Sequence, residues 1–204
     1  MTVNVRHTYI GPEFTAPPAR PIPLLRDWFA LAVAREVDEP TALALSTVAA
    51  NGRPSSRMVH VHRITHRGLV VATHTTSRKG QEIDQTRQWS GVTYWRETNQ
   101  QITFGGHVEA ADAGLADVLW RQRPASARAM SATTTQSAPL TDQKSLFLRA
   151  QSRKRMPLPR PGTWVARHLV ITEVEFWQSS PDALHRRLRY DLTDRGWTSV
   201  RLQP

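Results

Sequence analysis

TALALSTVAANGRPSSRMVHVHRI, residues 41–64, reads as a β-hairpin and sets the class of the fold. Two runs rich in β-forming residues flank Asn51-Gly52, a dipeptide whose access to positive φ predicts a two-residue turn. Working outward, GLVVATHT (68–75) is a third strand. GVTYWRET (91–98) and QITFGGHVEAA (101–111) form a second antiparallel pair around Asn99. Near the C-terminus WVARHLVITEVEFWQ (164–178), HRRLRYDL (185–192) and GWTSVRLQ (196–203) continue the pattern, the last two joined near residues 194–196.

Helices interrupt these strands. In PLLRDWFALAVAREV (23–37) the residues Leu24, Leu25, Trp28, Leu31, Ala32 and Ala34 recur at three- and four-residue intervals, giving one apolar face. GQEIDQTRQ (80–88), AGLADVLWRQR (113–123) and DQKSLFLRAQSRKR (142–155) are further helices, and PLPRPG (157–162) stops the last. Many short antiparallel strands with few helices predict a mainly β, α+β fold: a β-barrel with a small helical lobe. Residues 1–22, with four prolines, are expected to form an extended arm, and residues 23–204 a single domain.

Composition narrows the chemistry. The 204 residues include no cysteine, which removes disulfides, thiol nucleophiles, thiolate zinc sites and iron–sulfur clusters. The longest run without a polar residue, residues 28–34, is too short to span a bilayer, and the N-terminus lacks the order of a secretion signal. The chain therefore reads as soluble and cytoplasmic, with no membrane partner. A net charge of +10 would suit nucleic acid, but the cations are scattered and no zinc-finger, RNP-like or basic-zipper pattern is present. No nucleic-acid partner is expected.

TTSRKGQEI (75–83) places Ser77, Arg78 and Lys79 between a strand and a helix. Such a turn is either a solvated surface pair or an anion site, because a helix start offers free N–H groups. Arg57, on the strand before GLVVATHT, and Thr73 could face the same anion if those strands are adjacent. His60 and His62 share a strand face, yet no third ligand has metal-site spacing, so no metal is expected. There is no G-x-S-x-G elbow, and Gly105-Gly106 is a doublet without a Rossmann fingerprint. Trp28, Trp120 and Trp164 are expected in the core.

RMVHVH (57–62), SRKG (77–80), Arg123-Pro124, Gln136-Ser137, EFWQ (175–178) and LHRRLRYD (184–191) occur in the order and approximate spacing of the pyridoxamine 5′-phosphate oxidase family, which this chain resembles from about residue 24 onward. The resemblance implies an FMN-binding split β-barrel and a homodimer with FMN at the interface. It implies cofactor contacts from Arg57, Met58, Val59, His60, Val61 and His62 along one strand and from Ala72 and Thr73 on the next. Arg78 and Lys79 would join Arg57 at the phosphate, and Gln101, Gln136, Ser137, Trp177 and Arg187 would add contacts, some from the partner subunit.

The family's five substrate-phosphate positions, by the same resemblance, read His62, Leu119, Arg123, Ala127 and Ala183, so only the arginine at 123 is kept. Removing one charge-assisted hydrogen bond costs about 1.5–3 kcal/mol, so the absence of several implies a changed substrate. YWRETNQQI (94–102) and the C-terminal RLRYD…GW…RLQP are similar to the phenazine-biosynthesis branch. That branch implies oxidation of a reduced phenazine carboxylic acid, a small aromatic carboxylate, with O2 as acceptor and hydrogen peroxide as product. His185 and His62 are the catalytic candidates, and His62, Arg123 and His185 the substrate-binding ones. The alternative is a pyridoxine/pyridoxamine 5′-phosphate oxidase.

Overall fold

Strand β1 (Ala42–Val48) alternates buried and half-buried residues, and β2 (Pro54–His60) pairs with it antiparallel from Val48 opposite Pro54 to Ala42 opposite His60. This computed structural model describes residues 11–204, so the first ten residues of the expected arm lie outside it. The hairpin loop differs from the two-residue turn predicted. Ala49 and Arg53 are still bonded, the Gly52 N–H donates to the Ala49 carbonyl, and only Gly52 takes positive φ, at 82°. That is a three-residue loop with glycine at the left-handed position, and Asn51 caps it by accepting from the Arg53 N–H.

The remaining elements follow in chain order. Helix α1 (Pro21–Ala34) precedes the hairpin; β3 (Arg63–Ile64), β4 (Gly68–His74), α2 (Arg78–Thr86), β5 (Gln88–Trp95) and β6 (Gln100–Ala110) follow it. Three helices, α3 (Ala113–Gln122), α4 (Ala125–Thr133) and α5 (Gln143–Arg153), precede β7 (Trp164–Gln178), β8 (Arg186–Thr193) and β9 (Gly196–Arg201). α1 starts two residues earlier than predicted, since Pro21 and Pro23 both sit in a first turn that needs no amide donors. It stops at Ala34 because Glu36 turns left-handed, at φ 54°, and sends Val37 into the core.

All pairings are antiparallel, in the order β2-β1-β5-β6-β7-β4-β3, with β8 on β7 and β9 on β8. β7 is the spine. One edge holds β6; the other holds β4 along residues 164–170 and β8 along residues 173–178, so the sheet splits there. The His62 N–H donates to the Val70 carbonyl and brings the end of β2 round to β4. These features make the fold an antiparallel split barrel with a helical lobe.

The main core lies between α1 and the sheet, where Trp28 packs edge-on against Phe14 and Phe176. Phe14, in the short turn Pro12–Phe14, is buried, and the Tyr190 hydroxyl donates to the Pro18 carbonyl. A second core joins Leu119 and Trp120 of α3 to Val70, Trp164 and Ala166 of the sheet. Trp28, Trp120 and Trp164 are all buried. Among the described residues no helix is long and apolar enough to cross a membrane.

Candidate functional site

Ser77 builds the SRKG turn. It caps α2: its Oγ accepts from the Gly80 N–H at 3.1 Å and donates to the His74 carbonyl at 2.7 Å. Position 80 has to be glycine, since a β-carbon there would strike that same carbonyl oxygen. Arg78 and Lys79 thus become the first two helical residues, at the positive end of the helix dipole. The Arg78 N–H donates to Ser137 Oγ at 3.2 Å, which ties the lobe's Gln136-Ser137 loop to the same turn.

Arg57 arrives by a route that differs from the expected strand neighbourhood. β2 pairs with β1 and lies at the far end of the sheet order from β4. The guanidinium instead folds back over β1, with Nη1 donating to Thr47 Oγ1 at 2.6 Å and Nη2 bonded to Ser55 Oγ and, at 3.4 Å, to Glu82 Oε2 of α2. Arg78 Nε donates to the other oxygen of Glu82 at 2.9 Å. Both cations therefore meet at one buried carboxylate.

Beside this cluster lies a cleft of about 400 Å³, lined by Met58, Val59, His60 and His62 of the β2 end, Ala72, Thr73 and His74 of β4, Lys79 of α2, Arg123, Trp164, and Met130, Ser131, Thr134 and Gln136 of the lobe. Among the described residues no acidic one lines it. Lys79 is held below the ordinary lysine value by burial and then by Arg57. Burial likewise lowers Arg123, whose buried Nε has no hydrogen-bond partner among the described residues and whose guanidinium carbon lies 5.5 Å from the Trp164 ring centroid. His62 and His74 are both pushed below the ordinary imidazole value, by burial first and by Arg123 second. A set of half-buried cations and neutral imidazoles without a counter-charge is a site short of an anion.

The remaining expected residues lie elsewhere on this chain. Val61 points into the main core. Gln101, Trp177 and Arg187 stand opposite one another across β6, β7 and β8. The His185 ring sits 5.1 Å from that of Trp177, and its Nδ1 accepts from the Ser180 N–H at 3.3 Å. Arg187 is held by both oxygens of Glu175, at 2.7 and 3.0 Å. Trp164 and Trp177 mark opposite ends of β7, so about 40 Å of strand separates the two groups. His60 Nδ1 lies 3.5 Å from Glu39, and among the described residues no three His, Asp or Glu side chains gather as a metal site.

Sequence reasoning missed Glu82, His74 and helix α4, which supplies Met130 and Ser131. Signals for two of them were available. Arg78 and Glu82 stand at i,i+4, with Arg78 two residues ahead of the predicted helix start at Gly80, and ASARAMSAT after Pro124 is rich in strong helix formers. Of the family's substrate-phosphate positions, Leu119 is buried in the lobe's core and Ala183 is exposed at φ 60°. Neither offers the cleft a donor.

The near-end residues fit the phosphate-bearing half of a flavin nucleotide: cations, a helix N-terminus and an orphaned guanidinium N–H converge on a cleft without acids. A family model described as pyridoxamine 5′-phosphate oxidase matches residues 30–154, and one described as pyridoxine 5′-phosphate oxidase C-terminal dimerisation region matches residues 164–204. The chain is 43% identical over 195 residues to a dihydrophenazinedicarboxylate synthase of Burkholderia lata, covering 95% of this chain and 92% of that one. It is 34% identical over 190 residues to a pyridoxine/pyridoxamine 5′-phosphate oxidase of Herminiimonas arsenicoxydans, covering 91% and 90%. The crystal structure of PhzG from Burkholderia lata 383 in complex with tetrahydrophenazine-1-carboxylic acid superposes with a TM-score of 0.94 at 42% identity, over 96% of this chain and 98% of that one. With fold, cleft and both sequence blocks in agreement, the chain belongs to the pyridoxamine 5′-phosphate oxidase family of flavin-dependent oxidoreductases.

Proposed function

We propose that this protein is an FMN-dependent oxidase that carries reduced phenazine carboxylic acids toward the aromatic phenazine, with O2 as electron acceptor and hydrogen peroxide as product. The observation that carries the reading is the cleft with Lys79 and Arg123 and no acidic residue, in a chain 42% identical to a solved protein bound to tetrahydrophenazine-1-carboxylic acid. The flavin's phosphate would lie against Arg78 and Lys79, with Arg57 adding charge and Gln136 and Ser137 closing over it. Met58, Val59, His60, His62, Ala72 and Thr73 would flank the rest of the cofactor.

Gln101, Trp177, His185 and Arg187 cluster around the β7 end, and the last three belong to the block that matches a dimerisation region. About 40 Å of strand keeps them from the cleft of their own chain. A two-fold homodimer would bring one chain's cleft to its partner's Trp177 end, completing two equivalent sites.

FMN would supply the redox chemistry, taking up a hydride equivalent from the substrate and passing the electrons to O2. The chain's own residues would bind and orient the substrate. Arg123, whose buried Nε lacks a partner, offers a donor to the substrate carboxylate. His62 stands where the family's lysine would be, and its lowered pKa keeps the imidazole neutral at pH 7 and able to accept a proton. In a neutral His185, Nδ1 accepts from Ser180 and Nε2 carries the proton, which suits it to donate a hydrogen bond to the substrate. The missing phosphate grip at Leu119, Ala127 and Ala183 argues against a phosphorylated vitamin.

The test is anaerobic reduction of the flavin-loaded protein, followed by visible absorbance. A reduced phenazine carboxylic acid should bleach the flavin within the time of a turnover, and pyridoxine 5′-phosphate should not. Bleaching by pyridoxine 5′-phosphate at the same rate would replace this reading with the vitamin one.

A further inference from the structure

Glu82 is given no role by the family reading, yet its carboxylate accepts four hydrogen bonds beside the turn. It is 4% exposed. Its carboxylate accepts from Thr47 Oγ1 at 2.5 Å, Ser55 Oγ at 2.6 Å, Arg57 Nη2 at 3.4 Å and Arg78 Nε at 2.9 Å. Burial alone would raise its pKa, but the bonds from Ser55, Thr47 and Arg78 hold it at about 2, so it stays charged.

We propose that Glu82 is the positioning residue of the phosphate site, a buried carboxylate that draws Arg57 of β2 and Arg78 of α2 together and sets the site's net charge. This rests on the reading that FMN binds here.

Arg57 and Arg78 come from different elements and, with Lys79, would repel one another without an anion between them. Lys79 already carries the mark of that repulsion, since Arg57 follows burial as a cause of its lowering. Three positive charges less one leave two, which matches the roughly −2 charge of a phosphate monoester at neutral pH. The geometry also divides the labour. Both terminal nitrogens of Arg57 are committed to Leu45, Thr47, Ser55 and Glu82, so that side chain acts mainly as a fixed charge. Arg78 gives Glu82 only its Nε and stays half-exposed, which leaves its terminal fork for phosphate oxygens.

The test uses the full-length apo-protein, titrated with FMN and with riboflavin, which lacks the phosphate. In Glu82→Gln, FMN affinity should fall about tenfold or more, the scale of one charge-assisted hydrogen bond, while riboflavin affinity stays unchanged. Ser55→Ala keeps every charge and removes one tether, so it should show a smaller decrease confined to FMN; it also serves if Glu82→Gln does not fold. Equal weakening toward both flavins in either variant would make Glu82 merely structural and overturn the proposal. So would tighter FMN binding by Glu82→Gln, since removing a competing negative charge would then outweigh positioning. A wild-type protein that binds FMN no better than riboflavin would instead overturn the underlying cofactor reading.

Discussion

The far end of β7 and the cleft beside its near end hold their cations in opposite electrostatic settings. At the far end Arg187 is paired with Glu175, Arg189 with Asp191 and Arg186 with Asp182. In the cleft and its turn Lys79 and Arg123 have no carboxylate partner among the described residues, and Arg57 and Arg78 divide one, although outside the cleft Arg167 pairs with Asp84 and Arg160 with Asp117. A cation with its own carboxylate has little left for a ligand; one that remains partly buried without a carboxylate is held in an unfavourable state that a bound anion relieves. The near end is thus suited to charge, and the far end, with Trp177 against His185, to a ring.

The contrast breaks most visibly at the turn. Replacing Arg78 and Lys79 together with alanine should weaken FMN binding by about two to four orders of magnitude, the scale of two charge-assisted hydrogen bonds. Arg189→Ala, at the far end, should change it by less than about threefold, as surface substitutions do. Equal effects in isothermal titration would erase the distinction between the ends.

Complementation sharpens the contrast into a statement about the partner subunit. Lys79→Ala and Trp177→Ala should each fail to retain flavin when purified alone. Unfolded, mixed and refolded, they should recover about a quarter of the wild-type sites, because half the dimers are mixed and each has one intact site. No recovery would mean that both ends serve one chain's site.

The smallest effect concerns pH. His62 and His74 sit below the ordinary value of 6.5 in the folded chain. As pH falls through 6.5 the unfolded chain binds these protons first, so folded stability declines toward the lowered values and is recovered as pH rises. His74→Asn removes one such group. The gap in melting temperature between wild-type apo-protein and this variant should therefore shrink from about pH 7.5 to about pH 5.5, on either side of the unfolded value. A gap independent of pH would show that His74 does not titrate there.

Much of this was legible in the chain. β-forming runs on either side of Asn51-Gly52 marked β1 and β2, and SRKG sat where a strand meets a helix, so the turn's chemistry followed from local spacing. Arg57 was legible as a candidate but not its path: the hairpin gave β1 as its strand neighbour, while the expected approach to the anion beside β4 was replaced by a guanidinium folded back over β1 to Glu82. Glu82 was hidden for a related reason. An acidic residue in GQEIDQTRQ looks solvated, and only the packing of α2 over β1 buries it among hydroxyls and guanidinium groups. Helix α4 was passed over because it is short and has a single buried residue, Ala129.

By itself, then, the sequence determined most of the elements, the antiparallel class and the residue types able to hold an anion, because these depend on periodicity and on neighbours a few positions apart. The tertiary structure alone decided which cations keep a counter-charge, that Arg57 and Arg78 meet at Glu82, and that Trp177 lies a strand's length from the cleft. Those facts depend on contacts between residues far apart in the chain, and on burial, which lowers the dielectric and gives each pairing its weight.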